Sequence, residues 1–129
     1  MNNNILIGEI GEDIALKYLL SIKYELLFKN YKYKFGEIDL IFRSFNSVVV
    51  FIEVKTRFIN SYQKWYTNDR FYPEDKFTTQ KINKVNMLAQ RFVGGHPFLI
   101  DDEIGWRIDL IAIDFFEGGN FLIRHYENV

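Results

Sequence analysis

Phe51-Ile52-Glu53-Val54-Lys55-Thr56-Arg57, read with Gly36-Glu37-Ile38-Asp39-Leu40-Ile41 upstream, decides the fold of this chain. Both runs are apolar and β-branched, so both read as buried strands. Each nevertheless carries charge where a core strand carries none. An unpaired carboxylate is expensive to bury, so Asp39, Glu53 and Lys55 call for partners. Glu53 and Lys55 alternate with Ile52 and Val54, which sets their side chains on one strand face with Cα atoms roughly 6.6 Å apart. Asp39 comes from the neighbouring strand, and in a suitable register its carboxylate meets that of Glu53. Two such carboxylates repel, and Mg²⁺ or Mn²⁺ relieves the repulsion through oxygen ligands. The Lys55 ammonium is then placed to orient a water or to steady charge on a pentacovalent phosphate. The pattern predicts a metal-dependent phosphodiesterase site.

Working outward, Gly8–Ile22 reads as a helix, with Ile10, Ile14, Tyr18 and Ile22 on one stripe and Ala15 and Leu19 beside it. Glu25–Asn30 reads as a short connector or edge strand. Tyr33–Ser44 reads as one strand, with Ile38, Leu40 and Phe42 on one face and Asp39 and Ile41 on the other. Ser44-Phe45-Asn46-Ser47 is a tight turn, and Val48–Arg57 returns as the antiparallel partner. That partner is almost continuously apolar, as a central strand covered on both faces should be. Phe58–Lys76 has no period but holds Tyr62, Trp65, Tyr66, Phe71 and Tyr72, and is expected to be a flap or an ordered aromatic excursion. Thr78 or Thr79 caps a second helix that runs to about Val93, with Ile82, Val85, Ala89 and Phe92 as its stripe and Gly94-Gly95 as its stop. Phe98–Ile100 is expected to be a short strand, Trp106–Phe115 a strong one, and Asn120–Tyr126 the last, after a turn at Gly118-Gly119. The order predicts one α/β domain over residues 1–129, built on a mixed sheet.

Composition narrows the function classes. At 48% hydrophobic and 18% aromatic residues the chain has enough apolar material for a core and is not a disordered polypeptide. It has no cysteine, which excludes disulfides, a thiolate zinc site and a cysteine nucleophile. Met1-Asn2-Asn3-Asn4 lacks a basic leader region and no run approaches the roughly 18 apolar residues of a membrane span, so the expected location is cytoplasmic, with no membrane partner. The net charge of −1 is not the basic footprint of most nucleic-acid-binding domains. A metal site is acidic until its cation arrives, however, and Lys17, Lys23, Lys29, Lys32 and Lys34 either form a local basic face or a solvated surface. No phosphate-cradling glycine loop follows a strand.

The constellation Asp39, thirteen intervening residues, then Glu53-Val54-Lys55 resembles the PD-(D/E)XK nuclease superfamily, with Ile38 at the nominal proline position. The wider chain resembles the small bacterial YraN-like family, itself similar to archaeal Holliday-junction resolvases. The likeness is carried by Gly8-x-x-Gly11-Glu12-x-x-Ala15-x-x-Tyr18-Leu19, Asn30-Tyr31, Gly36 to Ile41, Val50 to Arg57, Lys81 with Ala89, and Arg107-Ile108-Asp109-Leu110. It implies a restriction-endonuclease-like fold, a mixed central sheet flanked by helices. It implies that Asp39 and Glu53 hold the metal with the Val54 carbonyl as a third ligand. Lys55 would then be the catalytic lysine, Glu12 would reach the metal directly or through water, and Lys81 would face the site from the second helix. The implied activity is an endonuclease on DNA, branched DNA included, with a 3′-oxygen leaving group and a 5′-phosphate product. Because a four-way junction offers two symmetric cuts, a homodimer is among the expectations. The alternative is a non-catalytic nucleic-acid- or protein-binding module that keeps the nuclease fold.

Each residue also has a plainer account. Glu12 lies at the helical phase of Ala15, Leu19 and Ile22, unexpected for a carboxylate unless it serves a site; otherwise it faces the helix dipole. Asp39 and Lys55, or Glu53 and Lys55, are alternatively plain ion pairs of a sheet. Arg57 either touches phosphate or makes an ion pair. Asp109, in a repeat of the Ile38–Ile41 pattern, is expected to pair with a neighbouring basic residue. Glu37 shares the face of Asp39 but is expected to be exposed. His96 and His125 are not spaced as metal ligands and are assigned to structure or surface, and Trp65, Tyr66 and Tyr72 to packing rather than base stacking.

Overall fold

The computed structural model describes residues 3–60 and 72–129 and shows a five-stranded open mixed sheet with one long helix on each face. Helix α1 (Asn3–Ser21) begins more than a turn before the expected start; Ala15 and Leu19, expected beside the stripe, are its completely buried apolar side chains, while Ile10, Ile14, Tyr18 and Ile22 of the expected stripe are half-buried. Strands β1 (Glu25–Tyr33), β2 (Gly36–Arg43) and β3 (Val49–Ile59) follow, then α2 (Thr79–Gly95), β4 (Trp106–Phe116) and β5 (Phe121–Tyr126). The strands lie in chain order across the sheet. Only the β3–β4 pair is parallel, and α2 lies on the connection between those two strands.

Three strands, not two, therefore precede α2. The segment at 25–30, read as a connector or an edge strand, is an edge strand of nine residues, and Tyr33 belongs to it, opposite Gly36, rather than to the strand after it. An edge strand tolerates lysine and needs only one covered face, so Lys29, Asn30 and Lys32 diluted the strand pattern. The stretch at Phe98–Ile100 is not a strand either. Pro97–Leu99 is a 3-10 turn with Phe98 fully exposed, and among the described residues no strand pairs with it. Of the expected flap, Phe58 and Ile59 extend β3, Pro73–Lys76 is a 3-10 turn, and Tyr62, Trp65, Tyr66 and Phe71 lie outside the described residues.

The core has two layers. Leu40, Phe42, Val50, Ile52, Val54, Ile111 and Ile113 pack under α1; Ile41, Val49, Phe51, Ile108 and Leu110 pack under Val85, Leu88, Ala89 and Phe92 of α2. Thr78 caps α2 by accepting the Lys81 N–H. The expected grouping of Ile38 with Leu40 and Phe42 is corrected here: Ile38 lies in the α2 layer with Ile41. Strict alternation is broken around Asp39, and this break matters for the site.

Gly11 sets how closely α1 approaches the sheet. A Cβ there would stand 1.7 Å from Thr56 Oγ1, whereas one on Gly8 would meet nothing within 4 Å. A polar network then ties the last strand to α1. Asp109, wholly buried, accepts from Arg107 Nε (2.9 Å), the Asn128 N–H (2.9 Å) and His125 Nε2 (2.7 Å). With Nε2 donating, His125 Nδ1 accepts the Tyr18 hydroxyl at 3.0 Å. Burial raises the Asp109 pKa, but His125, Arg107 and Asn128 outweigh it and hold the carboxyl below its usual range. Asp109 and His125 thus have the structural roles expected of them.

Two stability predictions follow from this packing. Gly11→Ala should lose about 1–3 kcal/mol in urea denaturation, while Gly8→Ala, in open space on the same helix, should be neutral or gain about 0.5–1 kcal/mol. Asp109→Asn should lose about 3–5 kcal/mol, since it removes the buried carboxylate that the half-buried Arg107 guanidinium and His125 pair with.

Candidate functional site

The site begins where two ladders part. Strands β2 and β3 pair only from Arg43↔Val49 to Leu40↔Ile52. Beyond that point β2 stays with β1 as far as Gly36↔Tyr33, and β3 stays with β4 as far as Ile59↔Phe116. The sheet therefore forks, and Asp39 and Glu53 are the first residues past the last pair on each arm. At the fork the Asp39 carboxylate replaces a backbone acceptor: its Oδ2 takes the Val54 N–H at 2.9 Å. The N–H and C=O of one strand residue leave on the same edge, so the Val54 carbonyl also faces the open side of the fork.

Three carboxylates meet there. Glu12, carried in by α1, and Glu53 both lie within proton-sharing reach of Asp39. Lys55 Nζ stands 3.3 Å from Glu53 Oε1. Burial, then the Asp39 charge and a hydrogen bond to it, raise Glu12 to about 7. Burial and the Asp39 charge also raise Glu53 to about 7 against the opposing pull of Lys55. Asp39 is raised as well, by burial first, with the Val54 N–H working the other way. Glu37 is exposed, as expected, and acts on Glu12 and Asp39 only through its charge.

A cleft of about 600 Å³ opens over the fork, lined by Glu12, Asp39, Glu53, Val54 and Lys55, with Asn4, Arg57 and Lys76 among the residues around them. A smaller pit of about 210 Å³ lies between the start of β2 and α2 and also borders Glu53 and Lys55. Lys81 lines this pit and not the larger cleft. Arg57 is engaged by Asp114, at 2.9 Å through Nε, and lies 4.7 Å from the Tyr72 ring centroid. Arg124 bridges Asp114 to Glu74. This network fixes the Pro73–Lys76 turn on the sheet face that carries Glu53 and Lys55. Burial raises Glu74, but Arg124 and Tyr126 hold it down at about 2. Tyr72 is exposed and faces two guanidinium groups rather than packing across the sheet.

Asp39, Glu53 and Lys55 are thus brought together as their spacing implied, Glu12 and Val54 join them as the family resemblance implied, and Lys81 lines the neighbouring pit. Lys76 and Lys84 were not singled out in the sequence. Lys84 follows Lys81 by three positions and so shares its helix face, a signal open to detection. Lys76 had none, because its position depends on the Arg124–Glu74 contact. The donor chemistry around the fork, carboxylate and carbonyl oxygen only, fits a hard divalent cation. Among the described residues, no three His, Asp or Glu side chains stand ready to close around one; the carboxylates meet each other instead, through Asp39.

The model of the uncharacterised protein family UPF0102 matches residues 11–113, a span that contains the fork, the pit, most of the cleft and most of the sheet. The chain belongs to this family. Among its UPF0102 relatives, a protein of Sulfurihydrogenibium sp. (strain YO3AOP1) is 37% identical over 94% of this chain and 90% of its own length. One from Dictyoglomus turgidum is 35% identical over 96% and 95%, and one from Clostridium botulinum (strain Kyoto) is 39% identical over 83% and 78%. Their names give the UPF0102 family and no activity. No helix among the described residues is long and apolar enough to cross a membrane.

The carboxylate cluster makes a signed prediction. Glu12 and Glu53 titrate near 7 when folded, against 4.5 as ordinary side chains, so the folded chain binds more protons between those values. Their stabilising contribution is complete below about 4.5 and is lost as pH rises through about 7. Glu74 acts oppositely, with its contribution lost as pH falls from 4.5 toward about 2. Urea melts in EDTA should show stability falling between pH 5 and pH 8, with a shallower fall in Asp39→Asn, which leaves the burial of both glutamates but removes the charge that adds to it.

Proposed function

We propose that this chain is a divalent-cation-dependent nuclease of the PD-(D/E)XK type, hydrolysing phosphodiester bonds in DNA, branched DNA among its substrates. The observation that carries this reading is the fork itself: Asp39 is fixed on the Val54 N–H, Glu53 and Glu12 converge on it, and Lys55 stands beside Glu53. A paired sheet would have no reason to gather three carboxylates and one ammonium at its interior. Asp39, Glu53, Glu12 and the Val54 carbonyl would hold Mg²⁺ or Mn²⁺. When bound, such a cation supplies charge stabilisation at the phosphate and a more acidic water.

The chain's own residues have separate tasks in this reading. Asp39 and Glu53 bind and orient, because each is anchored on a strand. Glu12 is the proton-holding group nearest solvent, delivered by a helix whose approach Gly11 permits. Lys55 holds positive charge beside Glu53, where a pentacovalent phosphate gathers negative charge. Lys76, in the larger cleft, and Lys81, in the pit, offer phosphate contacts on either side of Glu53.

Two observations favour a second reading, a binding module that retains this architecture without cleavage. The net charge is −1, and no three ligands stand closed around a cation position among the described residues. The deciding experiment offers end-labelled linear duplex, single-stranded, flapped and four-way-junction DNA with Mn²⁺, Mg²⁺ or EDTA. The nuclease reading expects cutting that vanishes in EDTA and in Glu53→Gln, and falls about 10²–10³-fold in Lys55→Ala. Cation-independent binding with a steep salt slope and no cutting, by folded protein, would instead establish the second reading.

A further inference from the structure

The pit beside Glu53 and Lys55 is unlike the cleft on the other side of them. Apolar Phe77, Val85 and Leu88 line it from the base and early turns of α2, and Lys81 and Lys84 contribute ammonium groups from the same helix. Glycine at position 36 keeps it open. A Cβ there would come within 3.2 Å of Lys84 Cε and 3.3 Å of Leu88 Cδ1, so any larger residue would fill the space. At about 210 Å³ the pit is smaller than the roughly 300–1,000 Å³ of a site for a drug-sized ligand. One flat heterocycle fits such a volume and a base pair does not. Lys55, Lys81 and Lys84 are set against Glu37 and Glu53, and Glu53 is already paired with Lys55. An apolar lining with cationic groups around it matches a base with phosphates on its flanks. Glu53 and Lys55 border both cavities, so a base in the pit would leave its phosphate at the fork.

We propose that this pit is a subsite for one unpaired nucleobase next to the scissile phosphate, so that the preferred DNA carries a single-stranded nucleotide at the cut. The assignment of a scissile phosphate rests on the nuclease reading above; the base-binding pit does not require cleavage. A base held in a duplex could not enter, because its partner strand would collide with α2 and the start of β2.

Fluorescence anisotropy in EDTA with labelled oligothymidylate, a fully abasic strand of equal length and a matched duplex tests the pit without cleavage. The expected result is oligothymidylate binding at least roughly tenfold tighter than the abasic strand, within the range for one base stacked on protein. Gly36→Leu, which fills the pit, should erase that difference while leaving abasic-strand affinity in place. Lys84→Glu should weaken both strands and lower the salt slope by about one. Val85→Phe serves as the filling variant if circular dichroism shows Gly36→Leu unfolded. Equal affinity for the two strands, or discrimination that survives a folded filling variant, overturns the proposal. The companion measurement is cutting of a flapped DNA with and without an abasic residue at the mapped cut site. Metal- and Glu53-dependent cutting that ignores the abasic residue and treats continuous duplex equally sinks the pit and leaves the nuclease standing. Base discrimination with no cutting of any DNA keeps the pit as a nucleotide site and removes the nuclease.

Discussion

One hydrogen bond organises this protein: the Asp39 carboxylate accepting the Val54 N–H across a split sheet. The β2–β3 ladder ends one residue before it, and an open fork would leave buried strand backbone without partners. Asp39 satisfies the Val54 N–H with a side chain instead of a carbonyl. The exchange has an electrostatic consequence. It plants a charge at the seam between two apolar layers, and Glu53 and Glu12 are pushed toward neutrality because they share that seam. Everything proposed about chemistry follows from a defect in strand pairing that is stabilised by its own side chain.

The rest of the fold holds that seam open at a fixed width. Helix α1 lies against β3 at Gly11 and Thr56, which brings the next residue, Glu12, to Asp39. On the opposite face, α2 packs Phe92, Ala89, Leu88 and Val85 on the other layer and sets Lys81 and Lys84 beside the pit. Two ion-pair networks brace the remaining strands. Asp109 gathers Arg107, His125 and the Asn128 N–H under α1, and Asp114 gathers Arg57 and Arg124 on the α2 face. Among the described residues, no buried side-chain nitrogen or oxygen lacks a hydrogen-bond partner. The charge in this interior is therefore paired throughout, and the fork differs by pairing like with like.

That difference separates Asp39 from Asp109, although both sit in an Ile-Asp-Leu-Ile run. Asp109 has two cationic or imidazole partners that outweigh its burial and lower its pKa; Asp39 is raised, by burial first and then by the Glu37 charge, against the pull of the Val54 N–H and Lys55. Opposite charge makes a buried aspartate more acidic, while burial without enough of it does the reverse. The same contrast holds along β3, where Lys55 leans on Glu53 of the carboxylate cluster and Arg57, two residues further, is bound to Asp114.

The sequence by itself determined the helices, the strong strands and the identity of Asp39, Glu53 and Lys55 as anomalous charges. Those signals are local: apolar periodicity, cap residues and a carboxylate in a β-branched run are written in neighbouring positions. Tertiary structure alone decided that β1 is a strand rather than a connector and runs to Tyr33, that Ile38 lies in the α2 layer, and that the β2–β3 ladder ends at Leu40. Each of these depends on which backbone partner is available, and pairing between distant segments leaves no periodic trace. The pit was beyond the sequence for the same reason. Gly36, Phe77, Lys84 and Leu88 are scattered along the chain and become one surface only when α2 is laid across the mouth of the fork.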